Sequence, residues 1–131
     1  LGVQASRVVV VSPDYRLEEF LKVVETMGLT SVTYAVGRNA WRDIAPHGVT
    51  KASALETIAG RLEIDDARIF AAGDGHNDLD MLRWAGRSGD SVAMGQSAPE
   101  VQAAATRVTG TIDEQGLLSA LRDRFADVLA R

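Results

Sequence analysis

The chain has 131 residues, 46% of them hydrophobic and 24% charged, with a net charge of -4 and no cysteine. That is one domain's worth of chain, with enough apolar residues for a packed core. The acidic balance offers no basic stripe to nucleic acid; disulfides, thiolate metal sites and a cysteine nucleophile are excluded; and no apolar run approaches the roughly 18 residues of a membrane-spanning helix.

In chain order, "RVVVVS" (7–12) predicts a buried strand, ended by the turn signal Ser12-Pro13-Asp14. Leu17, Phe20, Leu21, Val24 and Met27 then recur at helical spacing, and Gly28 stops that helix. The β-branched and aromatic run "TSVTYAV" (30–36) predicts a strand, Gly37-Arg38-Asn39 a turn, and "AWRDIAP" (40–46) a further short strand. Thr50 reads as an N-cap for a helix with Leu55, Ile58, Ala59 and Leu62 on one face. A strand over 67–72 follows, then a helix ending at Gly86, then a strand over 91–95. A helix over 98–105 carries Pro99 in its first turn, and "TRVTG" (106–110) is another short strand. Leu117, Leu118, Leu121, Phe125, Val128 and Leu129 line a final amphipathic helix. From Thr50 onward helix and strand alternate, which is the signature of an α/β parallel sheet with flanking helices. In such sheets ligands bind beyond the carboxyl ends of the strands.

One such end is "FAAGDGHNDLDML" (70–82), which packs Asp74, Asn77, Asp78 and Asp80 into seven positions. Crowded carboxylates repel and desolvate one another, so a cation or a solvated surface must relieve them. A hard divalent ion suits carboxylate oxygens, and Mg²⁺ is the usual choice where phosphate is handled. A phosphate also needs a cationic partner, and Lys51 opens a helix whose N-terminus favours anions. The plainer reading makes Lys51 a surface lysine and the acids a solvated helix start, where Asp and Asn are favoured. A calcium loop does not fit: counted from Asp74, Leu79 falls where glycine is required and Ala85 where the bidentate glutamate belongs.

"GVTKASAL" (48–55), "FAAGDGHNDLDML", "SVAMG" and "VTGTIDEQGLLSAL", in that order, resemble the C-terminal half of a Cof-like phosphatase of the haloacid dehalogenase superfamily. The resemblance runs over residues 41–125. It implies part of a Rossmannoid parallel sheet over 47–131, preceded by the tail of an α+β cap domain over 1–46. It further implies that Asp74 is a direct Mg²⁺ ligand and Asp78 orders the metal's surroundings. Asn77 and Lys51 would hold the transferring phosphoryl oxygens, and an aspartate nucleophile would accept the phosphoryl group before water releases it. The implied substrate is a small phosphorylated metabolite, a sugar phosphate among the candidates; the composition itself leads us to expect a cytoplasmic protein bound to neither nucleic acid nor membrane. Asp80 and His76 read as exposed bystanders, Met81 and Trp84 as core.

Two departures stand out. Gln96-Ser97 replaces the usual Asn-Ala after "AMG", and the superfamily's Asp-x-Asp-x-Thr nucleophile motif has no match, "VSPDY" supplying only Asp14. The chain is therefore expected to be a fragment that begins in mid-cap at Leu1, inactive alone, and prone to pair with a second copy through an exposed sheet edge. The competing expectations are a non-catalytic binding or interaction domain derived from this fold, and a split enzyme completed by another chain.

Overall fold

A computed structural model describes residues 8–11, 22, 32–36 and 41–129. The expected helix over 17–27 and the turns at 12–14 and 37–39 lie outside them, apart from Lys22, which is helical. Three strands, β1 (Val8–Val11), β2 (Val32–Val36) and β3 (Trp41–Pro46), form an antiparallel sheet in the order β1-β3-β2. Val8 pairs with Ile44 and Tyr34 with the same residue from the other side, so β3 is the central strand. A turn in which Val49 N–H donates to Pro46 O then leads into the second half.

Helix α1 (Lys51–Arg61) starts where the sequence places it. Thr50 Oγ1 accepts from Ser53 N–H and Ser53 Oγ accepts from Thr50 N–H, a reciprocal cap that satisfies two otherwise free donors. Its apolar face differs from expectation. Ala59 is buried, whereas Leu55, Ile58 and Leu62 are 36%, 49% and 65% exposed, since no described element covers them.

The second sheet is parallel, in the order β4 (Phe70–Gly73), β5 (Asp90–Ala93), β6 (Arg107–Val108). β4 begins three residues later than the expected 67–72. Asp65 accepts from Ala67 N–H and turns Asp66–Arg68 into a 3₁₀ segment, a local hydrogen bond outcompeting the ladder. Helix α2 (Leu79–Ala85) packs across β4 and β5 and against α1; α3 (Pro99–Ala104) has Pro99 at its start, as expected. Leu82, Ala93 and Val101 form the buried core, with Leu79, Ala98, Ala104 and Ala105 around it.

The last helix breaks into α4 (Gly116–Arg124) and α5 (Ala126–Leu129), with Phe125 at the joint packed edge-on against Phe70. Its expected leucine stripe is not the buried face. Gly116 and Ala120 are buried, while Leu117, Leu118 and Val128 are exposed. The cause is close approach: a Cβ at Gly116 would sit 1.9 Å from Gly110 O, so the helix docks by its smallest residues.

Candidate active site

The acidic turn sits at the carboxyl end of β4. Met94 N–H donates to Gly73 O and fastens that end to the end of β5. The chain then folds over the Asp78 side chain, whose Oδ2 accepts from Asp74 N–H at 3.0 Å and from Gly75 N–H at 3.1 Å. Asp78 N–H returns a bond to Gly75 O at 2.9 Å. Gly73 permits this because a Cβ there would lie 2.6 Å from the Asp78 Cβ.

Asp78 is 4% exposed, yet its charge is compensated. Lys51 Nζ donates to Asp78 Oδ1 at 2.5 Å, across 27 residues of chain. Two backbone donors and one ammonium therefore surround the carboxylate, the arrangement that makes a buried anion tolerable. Lys51 remains about half exposed, and an ammonium has three donors, so two are free for another acceptor. Asp74 and Asn77 are exposed on the same turn, and no described residue takes up the Asp74 carboxylate. The structure thus brings Lys51, Asp74, Asn77 and Asp78 to one place.

Asp80 is exposed with only a 3.9 Å contact to Arg83, as its reading as surface requires. His76 is different. It is exposed, as expected, and its Nε2 lies 2.6 Å from Glu100 Oε1. Glu100's own backbone N–H, then His76, hold that carboxyl below the ordinary glutamate range. Nothing local in the sequence couples positions 24 apart, so Glu100 carried no signal. The backbone of β2 also comes close to residues 76–78.

The Gln96-Ser97 departure has a structural outcome. Gln96 Oε1 accepts from Ile112 N–H, and Gln102 Nε2 donates to Gly95 O and Ser97 O, so the loop after β5 is pinned by glutamines. Met81 and Trp84 are half-buried. Trp84 also lines a cleft of about 270 Å³ with Glu56, Ile64 and Arg87, at the amino end of the strands and away from the acidic turn.

Among the described residues no three His, Cys, Asp or Glu side chains converge as a metal cage. The donor set fits a Mg²⁺ ion that takes one carboxylate, from Asp74, and completes its shell with water and phosphate oxygens.

A match to the haloacid dehalogenase-like hydrolase family runs over residues 3–121. The chain belongs to this family. It is 37% identical over 84 residues to the 5-amino-6-(5-phospho-D-ribitylamino)uracil phosphatase YitU of Bacillus subtilis, covering 64% of this chain and 30% of that one. It is 35% identical over 97 residues to the phosphatase YbjI of Escherichia coli, named for the same substrate, covering 74% of this chain and 34% of that one. The solved structure of the subclass IIB sugar phosphatase BT4131 superposes with a TM-score of 0.69 at 32% identity, over 81% of this chain and 39% of that one. The chain thus spans about a third of the length of these two curated family members. No helix among the described residues is long and apolar enough to cross a membrane.

Proposed function

We propose that the chain is the C-terminal part of a Mg²⁺-dependent phosphatase acting on a small phosphorylated metabolite. The observation that carries this reading is the Lys51–Asp78 contact, which holds a half-exposed ammonium over a turn presenting Asp74 and Asn77. Residues 1–46 are read as cap and 47–131 as core, in keeping with the change from an antiparallel to a parallel sheet across that boundary. Lys51 and the Asn77 amide hold phosphoryl oxygens, and Asp78 aims Lys51 and fixes the turn. A Mg²⁺ ion at Asp74, when bound, supplies positive charge for the phosphoryl oxygens. The accepting aspartate belongs to an Asp-x-Asp-x-Thr motif that residues 1–131 do not contain.

The relatives' named substrates, a sugar phosphate and a ribityl phosphate, favour a phosphorylated polyol or sugar. A cytoplasmic setting goes with that substrate class. The alternative reading is a non-catalytic binding domain derived from this fold.

Turnover of a phosphate monoester by the whole protein decides between them. The phosphatase reading expects Mg²⁺-dependent hydrolysis that falls about 10²- to 10³-fold in Lys51→Ala and in Asn77→Ala, as for loss of a donor aimed at developing charge. Asp80→Asn should be near neutral. Full activity in Lys51→Ala would sink the assignment, and no hydrolysis by the wild type would favour the binding domain.

A further inference from the structure

We infer that His76 and Glu100 are a positioning pair that holds the outer side of the acidic turn. This deepens the phosphatase reading and rests on it for its functional meaning. Asp78 clamps the turn from within, through the N–H groups of Asp74 and Gly75. That leaves the side chains of the outward-facing residues, His76 and Asn77, without a tie inside the turn, a three-residue 3₁₀ segment closed by Leu79 N–H donating to His76 O. Short 3₁₀ segments are weak by themselves, and this one has no side-chain cap from Gly75.

The His76 Nε2 to Glu100 Oε1 contact at 2.6 Å supplies the missing tie. It reaches from the turn after β4 to the first turn of α3 after β5. With the Met94 N–H to Gly73 O bond it makes two links between the loops at the carboxyl ends of adjacent strands. The turn is therefore held from two directions, by Asp78 from within and by Glu100 from outside. The Asn77 amide, one residue from His76, inherits that placement. The partners are 48% and 55% exposed, so the pair is modest in strength, and its effect is on turn geometry rather than on folding. His76 and Glu100 are positioning residues, not catalytic ones.

Amide hydrogen exchange of Asp74, Gly75 and Asp78 tests this directly, because their N–H groups are the ones the closed turn protects. In His76→Ala and in Glu100→Ala these three amides should exchange about two- to fivefold faster, the range an exposed ion pair supports. Met94, which reports the sheet, should not change. The double variant should match either single variant, and Glu100→Gln, which keeps an acceptor oxygen, should recover most of the protection. Unchanged exchange in both single variants, or additive effects in the double, would overturn the pair. This readout needs no turnover, so loss of the phosphatase reading and loss of the pair are separate outcomes. In an active whole protein, Glu100→Ala should lower kcat with little change in KM, and a reversed split would count against the positioning of Asn77.

Discussion

Ser97 Oγ is buried and has no hydrogen-bond partner among the described residues, although its own N–H donates to Met94 O and its C=O accepts from Gln102 Nε2. A buried hydroxyl left unpaired costs about 1–3 kcal/mol relative to one that is paired. The resemblance noted in the sequence puts alanine at this position, which would keep the Cβ and remove the unpaired group. Ser97→Ala should therefore stabilise the protein by about 1 kcal/mol, readable as a raised midpoint in urea unfolding with unchanged slope. A lowered midpoint would mean that the hydroxyl has a partner, such as a buried water. At this scale the sequence was legible where residue type carries the chemistry. The structure brings Lys51, Asp74, Asn77 and Asp78 to one place, as the sequence suggests, but the direct bond between Lys51 and Asp78 was not legible, because tertiary packing and not spacing brings them together. His76 is exposed, as the sequence suggests, but its contact with Glu100 was not legible for the same reason, since Glu100 lies on another element.

Most elements were legible from periodicity and turn residues, and the errors have local causes. The strand at 67–72 lost its first residues to the Asp65 side chain, and the terminal helix turned its small residues inward. Leucine spacing correctly predicted helix there and wrongly predicted which face is buried, since the approach of Gly116 to Gly110 decides the docking. The join between β5 and β6 has a feature that no periodicity announces. Asp90 accepts from Arg107 Nη2 at 3.0 Å and from Nε at 3.3 Å, and Thr106 Oγ1 donates to the same carboxylate. Burial pushes the Asp90 carboxyl up, but the Arg107 and Thr106 hydrogen bonds with the Arg107 charge outweigh it, and the group is held below its ordinary 3.8. A carboxyl lowered by folding binds fewer protons in the folded state than in the unfolded one. Its contribution is complete above 3.8 and is lost as pH falls through the lower folded value. Asp90→Asn should thus flatten the acid limb of the stability curve below about pH 4 while leaving its shape at neutral pH. An acid limb as steep as the wild type's would show that other carboxyls carry it.

For the molecule as a whole, the parallel sheet among the described residues ends at the four-residue β4 on one side and at the two-residue β6 on the other. β4 pairs with β5, and no described strand occupies its outer edge, although "FAAG" has no charge to discourage pairing there. Apolar side chains are also exposed away from that edge: Leu55, Ile58 and Leu62 with α1, and Leu117, Leu118 and Val128 near the C-terminus. An unpaired edge and uncovered apolar faces both favour association, since pairing satisfies backbone donors and removes apolar area from water. Residues 1–131 by themselves are therefore expected to self-associate, through the β4 edge or through exchange of the segment 1–46. The same residues should not hydrolyse phosphate esters, because Lys51 and a Mg²⁺ ion can position a phosphoryl group but cannot replace the carboxylate that accepts it. Light scattering over a concentration series decides the first point, and a stable monomer at high concentration would refute it. Assay with a generic phosphate ester and Mg²⁺ decides the second. Genuine turnover abolished by Asp74→Ala would place a nucleophile within these 131 residues, with Asp14 the first carboxylate to substitute.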